Sequence, residues 1–252
     1  MQDRYAGDIG DYGKFGMLRA LHAEGFAIGI NWYKTAPLKH EYLADGRFRQ
    51  ADGKYRIPDS LSVCDAALSE ALRAVFDGEQ RSIAALETAD LIPDAVYYSK
   101  EIPVDRRQSW HEEALLSLSS ADLVFLDPDN GLLVKSVGKF SAKSVKYALY
   151  EEAADYVSRN QSVVIYNHRC RKKPDQYFND ILLGITSVNQ MRSKRVFAVT
   201  FPKGSVRDYF AVCANDEHAA MVIGAFERLV GGIWGHTGMC ALPSFMSLYS
   251  VP

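Results

Sequence analysis

The sequence lacks the features that define several large classes of protein. Its four cysteines stand singly with no CxxC pair, so the spacing of a zinc site is missing. No apolar run reaches the roughly 18–20 residues that a membrane span needs. The first residues, Met1-Gln2-Asp3-Arg4, are polar and lack the apolar core of a signal peptide. We therefore expect reduced thiols, no membrane partner and a location in the cytoplasm.

A strong charge of one sign is also missing. The formal net charge is −2, whereas a strongly basic domain is the usual footprint of nucleic-acid binding. A local basic patch can still contact phosphates, whatever the net charge. The composition therefore argues against a generally cationic surface and leaves a local nucleic-acid interface open.

Several catalytic signatures are absent as well. The chain has no GxGxxG fingerprint, Walker A loop, nucleophile elbow or HExxH motif. It does have 48% hydrophobic residues in a length of 252, which is enough for a substantial core near the upper size of one domain. We predict a single α/β domain over residues 1–252, with the polar, glycine-containing segment 44–58 as a long loop.

Strand-like and helix-like segments alternate along the chain. Strands are predicted at 27–33, 95–99, 122–126, 161–166, 195–201 and 207–214. Helices are predicted at 11–24, capped by Asp11, and at 60–76, 81–91, 105–118, 141–159, 175–190 and 216–230. The Pro202-Lys203-Gly204-Ser205 turn joins the last two strands as an antiparallel hairpin. This alternation predicts a mostly parallel sheet with helices on both faces and ligands at the carboxyl ends of the strands.

The strongest local motif follows the strand at 122–126. There the chain runs Asp127-Pro128-Asp129-Asn130-Gly131. Pro128 stiffens the loop and Gly131 permits a sharp turn. Two carboxylates and an amide at a strand end can accept protons from a substrate amine or bind a divalent cation. The same residues also make a good turn without any function.

Two further motifs carry chemistry. Residues 7–14 read Gly-Asp-Ile-Gly-Asp-Tyr-Gly-Lys, in which glycines around the first helical turn allow a ligand to approach the backbone. The strand at 161–166 leads into Asn167 and His168, and His168 is suited to proton transfer or metal binding. The basic residues after it are Arg169, Arg171, Lys172 and Lys173. They would contact nucleic-acid phosphates, or else form a solvated charge run.

These motifs resemble those of the ribosomal large-subunit adenine-N6 methyltransferases. That family opens with a Gly-x-x-x-Asp-x-x-Lys helix, which Gly7, Asp11 and Lys14 match. It also carries an Asp-Pro-Pro-Tyr loop after a central strand, and Asp127 and Pro128 match its first two positions. The resemblance implies a Rossmann-like methyltransferase fold, with S-adenosylmethionine as cofactor and a nucleic-acid base as methyl acceptor.

The resemblance also implies roles for individual residues. Asp127 would orient the amine, and the basic run from Arg169 to Lys173 would contact phosphate. The Asp45-Gly46 pair falls near the family's first glycine-containing loop. The implied cofactor-binding residues are Gly7, Asp8, Asp11, Lys14, Asp45 and Gly46.

The chain departs from the family inside the central loop. Asp129 replaces the second proline, and Asn130 replaces the aromatic residue that stacks on the flipped adenine. The catalytic candidates remain Asp127, Asp129, Asn130 and His168. A first alternative is a nuclease dependent on Mg²⁺ or Mn²⁺, with Asp127, Asp129 and Asp8 as metal ligands and His168 as base. A second is a binding module that keeps the fold without the chemistry.

Overall fold

The computed structural model describes residues 1–36, 55–79 and 81–243. Within them the strands are β1 (Ile28–Asn31), β2 (Val96–Tyr98), β3 (Leu123–Leu126), β4 (Gly131–Leu132), β5 (Tyr147–Ala148), β6 (Ser162–His168), β7 (Val196–Phe201) and β8 (Arg207–Val212). The α-helices are α1 (Ile9–Ala23), α2 (Ala66–Asp77), α3 (Ile83–Thr88), α4 (Arg107–Ser117), α5 (Tyr150–Ser158), α6 (Pro174–Ser187), α7 (Asp216–Gly231) and α8 (Ile233–His236). Short 3₁₀ segments are Asp3–Tyr5, Asp59–Cys64, Ala142–Lys146 and Asn189–Met191. None of these helices is both long enough and apolar enough to cross a membrane.

The main sheet has the strand order β2-β1-β3-β6-β8-β7 in the described part of the chain. β1 runs parallel to β2 and β3, and β3 runs parallel to β6. β8 is antiparallel to both β6 and β7. The chain thus moves outward from β1 to β2 and then returns to β3 on the other side of β1. The predicted α/β class, with a mostly parallel sheet and a late antiparallel hairpin, is confirmed.

Helices pack against both faces of this sheet, as predicted. In β3, Leu123 and Phe125 belong to one buried hydrophobic cluster, and Val124 and Leu126 belong to another. The first cluster includes residues of α1, α2 and α7, whereas the second includes residues of α4, α5 and α6. Successive strand residues point to opposite faces, so a strand with all its side chains buried must be covered on both sides.

The prediction of one helix over 141–159 is wrong. The first part forms the 3₁₀ segment Ala142–Lys146, and Tyr147–Ala148 is the strand that pairs with β4. Arg107 donates to the carbonyl oxygens of Ser144 and Tyr147, which holds this stretch in place. The helix starts only at Tyr150. Contacts with distant residues therefore override the local helical periodicity.

Two helix starts also differ from the prediction. Asp8, and not Asp11, caps α1 by accepting from the backbone amides of Gly10 and Asp11. Asp65 accepts from the amide of Leu68, so α2 begins at Ala66, well after the predicted start at residue 60. Both carboxylates satisfy amides that the first helical turn leaves unpaired. Of the predicted loop 44–58, only residues 55–58 are described, and they have no regular secondary structure.

Candidate functional site

A polar cavity of about 410 Å³ opens at the edge of the sheet where β3 and β6 end. Residues from α1, the loop after β3, the end of β6 and the β7–β8 hairpin all line it. The predicted site residues in its lining are Asp8, Asp11, Lys14, Asp127, Asp129, Asn130 and His168. Tertiary structure thus brings together residues from three separate sequence motifs, at the sheet edge where α/β proteins bind ligands.

Lys14, Asp11 and Asp127 are buried and form the floor of this cavity. Lys14 Nζ donates to Asp11 Oδ1 at 2.6 Å and to Asp127 Oδ2 at 2.8 Å. Burial lowers the pKa of Lys14, but the two carboxylates raise it more, so its net pKa is raised and it stays charged. Burial raises the pKa of Asp127, although Lys14 opposes that effect. The floor is therefore a buried cation held between two acidic groups.

Asp8 extends the acidic floor towards the hairpin. Its Oδ1 caps α1, and its Oδ2 lies 3.9 Å from Nη2 of Arg207. Burial and the neighbouring Asp11 raise the pKa of Asp8, and Arg207 lowers it less, so the net shift is upward. One carboxylate oxygen of Asp8 therefore supports the helix, and the other lies on the side of Arg207.

Asp129 also lines the cavity and is held by several donors. Gln2 Nε2 donates to its Oδ2 at 2.7 Å, and the Thr35 hydroxyl donates to the same atom at 3.2 Å. Lys146 and the α-ammonium group of Met1 form ion pairs with its carboxylate, at 3.4 and 3.1 Å. Burial raises the pKa of Asp129, but these cations lower it more, so the carboxylate is ionised.

The loop that carries Asp127 and Asp129 is fixed to β6. Asn167 Oδ1 accepts from the amide of Leu132 at 2.6 Å, and the amide of His168 donates to the carbonyl of Asn130 at 3.2 Å. Gly131 has φ +113°, and a Cβ there would lie 2.0 Å from Asn167 Oδ1. Only glycine fits this turn. Asn130 itself is exposed at the rim of the cavity.

Other predicted site residues lie elsewhere. Gly7 faces α2, where a Cβ would lie 2.7 Å from the carbonyl oxygen of Leu72, so close helix packing accounts for this glycine.

Arg169 forms an ion pair with the buried Asp208. Beyond it, Arg171, Lys172 and Lys173 are exposed, and Lys172 pairs with Asp180. Asp45 and Gly46 lie outside the described residues. Phosphate binding by this basic run stays a prediction.

The carboxylates of the cavity do not form a metal cluster. Among the described residues, no group of three or more His, Cys, Asp or Glu side chains has the proximity to hold a metal ion. Asp11 and Asp127 instead share Lys14. The ammonium group of Lys14 occupies the position between these two carboxylates that a metal ion would need.

Three important residues of the cavity escaped the sequence analysis: Tyr166, Lys146 and Arg207. Tyr166 lies in the predicted strand, just before Asn167. Lys146 was assigned to a helix. Arg207 opens β8, and because this strand is antiparallel to β6, its first residue lies at the same sheet edge as the carboxyl end of β6. A charged residue at the start of a predicted antiparallel strand is thus a signal of the site.

Comparisons of the chain with protein-family models, with curated proteins and with solved structures find no match. We therefore infer the function from the geometry of the cavity and from the sequence motifs that line it.

Proposed function

We propose that this protein transfers a methyl group to an amine of a nucleic-acid base or nucleotide, on a Rossmann-like methyltransferase fold. The main support is the position of Asp127, a buried carboxylate at the carboxyl end of β3 that lines the polar cavity. β3 lies beside β1, where the strand order reverses. The resemblance to the adenine-N6 methyltransferases implies a mostly parallel sheet with a late antiparallel hairpin, and a sheet of this kind supports the proposal.

Asp127 would orient the amine of the substrate. A substrate amine donates an N–H to the carboxylate, and this contact directs the nitrogen lone pair away from Asp127. Lys14 Nζ donates a hydrogen bond of 2.8 Å to Oδ2 of Asp127, and this bond fixes the orientation of the carboxylate. In a site with little water such a contact is stronger than in solution. Asp127 would therefore bind the substrate, and Lys14 would hold the carboxylate of Asp127 in position.

The residues of the cavity suit S-adenosylmethionine, which supplies the methyl group when it is bound. The cofactor carries two cationic centres, and Asp8 offers its Oδ2, which makes no hydrogen bond to any described residue. The volume of about 410 Å³ lies in the range of small-molecule sites. Trp32 and Tyr33, which follow β1, are fully buried, so their side chains offer no open surface to a cofactor. The cofactor would instead bind between α1 and the loop after β3, near Asp8, Asp11 and Lys14.

A metal-dependent nuclease has less support. That reaction requires Asp127 to bind a cation, but its Oδ2 already accepts from Lys14. His168 lines the cavity and is exposed, which suits a base, but it needs a metal-bound nucleophile to act on. A binding module without catalysis remains the outcome to expect if ligands bind and no methyl group is transferred.

The test combines cofactor binding with methyl transfer. Calorimetry measures the affinity for S-adenosylmethionine, and a labelled methyl group is followed into RNA, DNA and free nucleotides. We expect Asp127→Asn to lower the rate of transfer by about a hundredfold, and the exposed Asp77→Asn to leave it unchanged. A folded protein that binds no cofactor at millimolar concentration contradicts the proposal. Cleavage of nucleic acid that a chelator abolishes would favour the nuclease instead.

A further inference from the structure

Arg207 is buried against the cavity with its side chain only 10% exposed. Its Nη1 donates to the carbonyl oxygens of Lys203 and Ser205, at 3.0 and 2.9 Å. These two bonds tie the guanidinium group to the turn of the β7–β8 hairpin. The orientation of the group is therefore fixed by the protein before any ligand arrives.

The other edge of the guanidinium group has no hydrogen-bond partner within the described residues. Its Nε and Nη2 are the two donors concerned, and the nearest acidic atom, Asp8 Oδ2, is 3.9 Å from Nη2. A distance of 3.9 Å is too long for a hydrogen bond. The guanidinium group is largely buried and lines the cavity, so these two donors are available to a ligand that enters it.

Gly10 makes room for this arrangement. A Cβ at Gly10 would lie 2.6–2.7 Å from Nη2, Cζ and Nε of Arg207 alike. Nearly equal distances to these three atoms mean that the flat face of the guanidinium group rests on Gly10. The edge formed by Nε and Nη2 is left free. The glycine in the first turn of α1 therefore has a specific role: it admits the arginine side chain.

We propose that Arg207 binds a phosphate group of the substrate through Nε and Nη2. Two parallel donors match two oxygens of a phosphate. Lys146 lines the same cavity, so further positive charge is near. Asp127 lies in the same cavity and suits an amine. A nucleotide carries both an amine and a phosphate, so it is the ligand class that suits Asp127 and Arg207 together under the proposed function. The proposal extends the proposed function by naming the substrate class of that cavity.

Binding without cofactor tests this proposal separately from methyl transfer. The probes are inorganic phosphate, the four ribonucleoside 5′-monophosphates, the matching nucleosides and short single-stranded oligonucleotides. We expect phosphate-bearing probes to bind more tightly than nucleosides, and Arg207→Gln to weaken them by about tenfold or more. Arg207→Lys should recover only part of that loss, because an ammonium group lacks the planar fork. Arg195→Gln, at a half-exposed arginine outside the cavity lining, is the matched control.

A second variant keeps the test decisive if Arg207→Gln does not fold. Asp8→Asn retains a capping oxygen for α1 and removes the negative charge 3.9 Å from Nη2. We expect this variant to bind phosphate-bearing probes several-fold more tightly than the natural protein. Tighter binding of a monophosphate would identify a free nucleotide as the source of the phosphate, and tighter binding of an oligonucleotide would identify a strand.

Three results would overturn the proposal. The first is equal affinity for nucleosides and nucleotides. The second is unchanged nucleotide binding in folded Arg207→Gln or in Asp8→Asn. The third is a loss of S-adenosylmethionine binding in Arg207→Gln with nucleotide binding intact, which would assign the guanidinium group to the carboxylate of the cofactor. Phosphate binding together with no methyl transfer would refute the proposed function alone.

Discussion

Lys14 and Asp127, which are 113 positions apart in the sequence, form a buried ion pair with 2.8 Å between Nζ and Oδ2. Asp11 shares the same ammonium group at 2.6 Å. One turn of α1 is thereby joined to the loop after β3, and the joint forms the floor of the cavity. The three side chains that the proposed function uses therefore also join two elements of the fold.

The first prediction concerns this ion pair. Lys14→Met removes the cation and leaves Asp11 and Asp127 buried without it, which should lower the free energy of unfolding by about 3–5 kcal/mol. Urea denaturation measures the change. Lys172→Met, which removes a lysine of an exposed pair with Asp180, is the control and should have little effect. Equal stability of Lys14→Met and the natural protein would mean that the pair contributes nothing to the fold.

The second prediction concerns the glycines of α1. Gly10→Ala places a methyl group 2.6 Å from Arg207 Nη2, so the guanidinium group must move. We expect a loss of about 1–3 kcal/mol in the free energy of unfolding, as in other overpacked sites. Gly231→Ala is the control, because a Cβ there meets nothing within 4 Å. Thermal denaturation compares the two, and a milder effect at Gly10 than at Gly231 would contradict the close approach of Arg207.

The third prediction concerns His218, whose Nδ1 is 2.9 Å from the hydroxyl of Ser162. Partial burial lowers the pKa of His218 below its usual 6.5, and Asp122 and Glu217 oppose the shift only in part. The neutral ring therefore stabilises the fold at pH values above the usual pKa. That contribution is lost as the pH falls through the lower pKa of the folded state.

Chemical denaturation from about pH 7.5 to about pH 5 tests this sign. The natural protein should lose more stability over this range than His218→Gln, which has no titrating ring. Parallel profiles for the two proteins would show that His218 does not titrate differently on folding.

The fourth prediction concerns the cysteines. Cys213 and Cys240 are 1% and 2% exposed, and burial raises the pKa of each thiol to about 12. Cys170 is exposed. Because the thiolate is the reactive form, a maleimide at about pH 8 should label Cys170 first and leave the two buried thiols unmodified until the protein unfolds. Peptide mass spectrometry reads out the order, and early labelling of Cys213 in folded protein would contradict its burial.

Much of the fold follows from sequence pattern. The apolar run Leu123–Leu126 and the runs that became β6, β7 and β8 were found because buried strands leave a strong local signal. The Asp127 loop is predicted as a site because polar residues that follow such a strand lie at the edge of the sheet where α/β proteins bind ligands. The helix predicted over 141–159 failed because Tyr147 pairs with Gly131 and receives a hydrogen bond from Arg107, and neither partner is near in sequence.

Amino-acid order alone predicts the alternation of strands and helices, the late hairpin and the motifs that carry Asp8, Lys14, Asp127 and His168. These are local properties of composition and spacing. The pairing of Lys14 with Asp127 and the contact of Arg207 with Gly10 become visible only in the folded protein. The same is true of the packing of Gly7 against α2 and of the ion pair between Arg169 and Asp208. The reason is physical: the pairing of buried charges depends on which distant groups are brought within a few ångströms, and local spacing does not contain that distance.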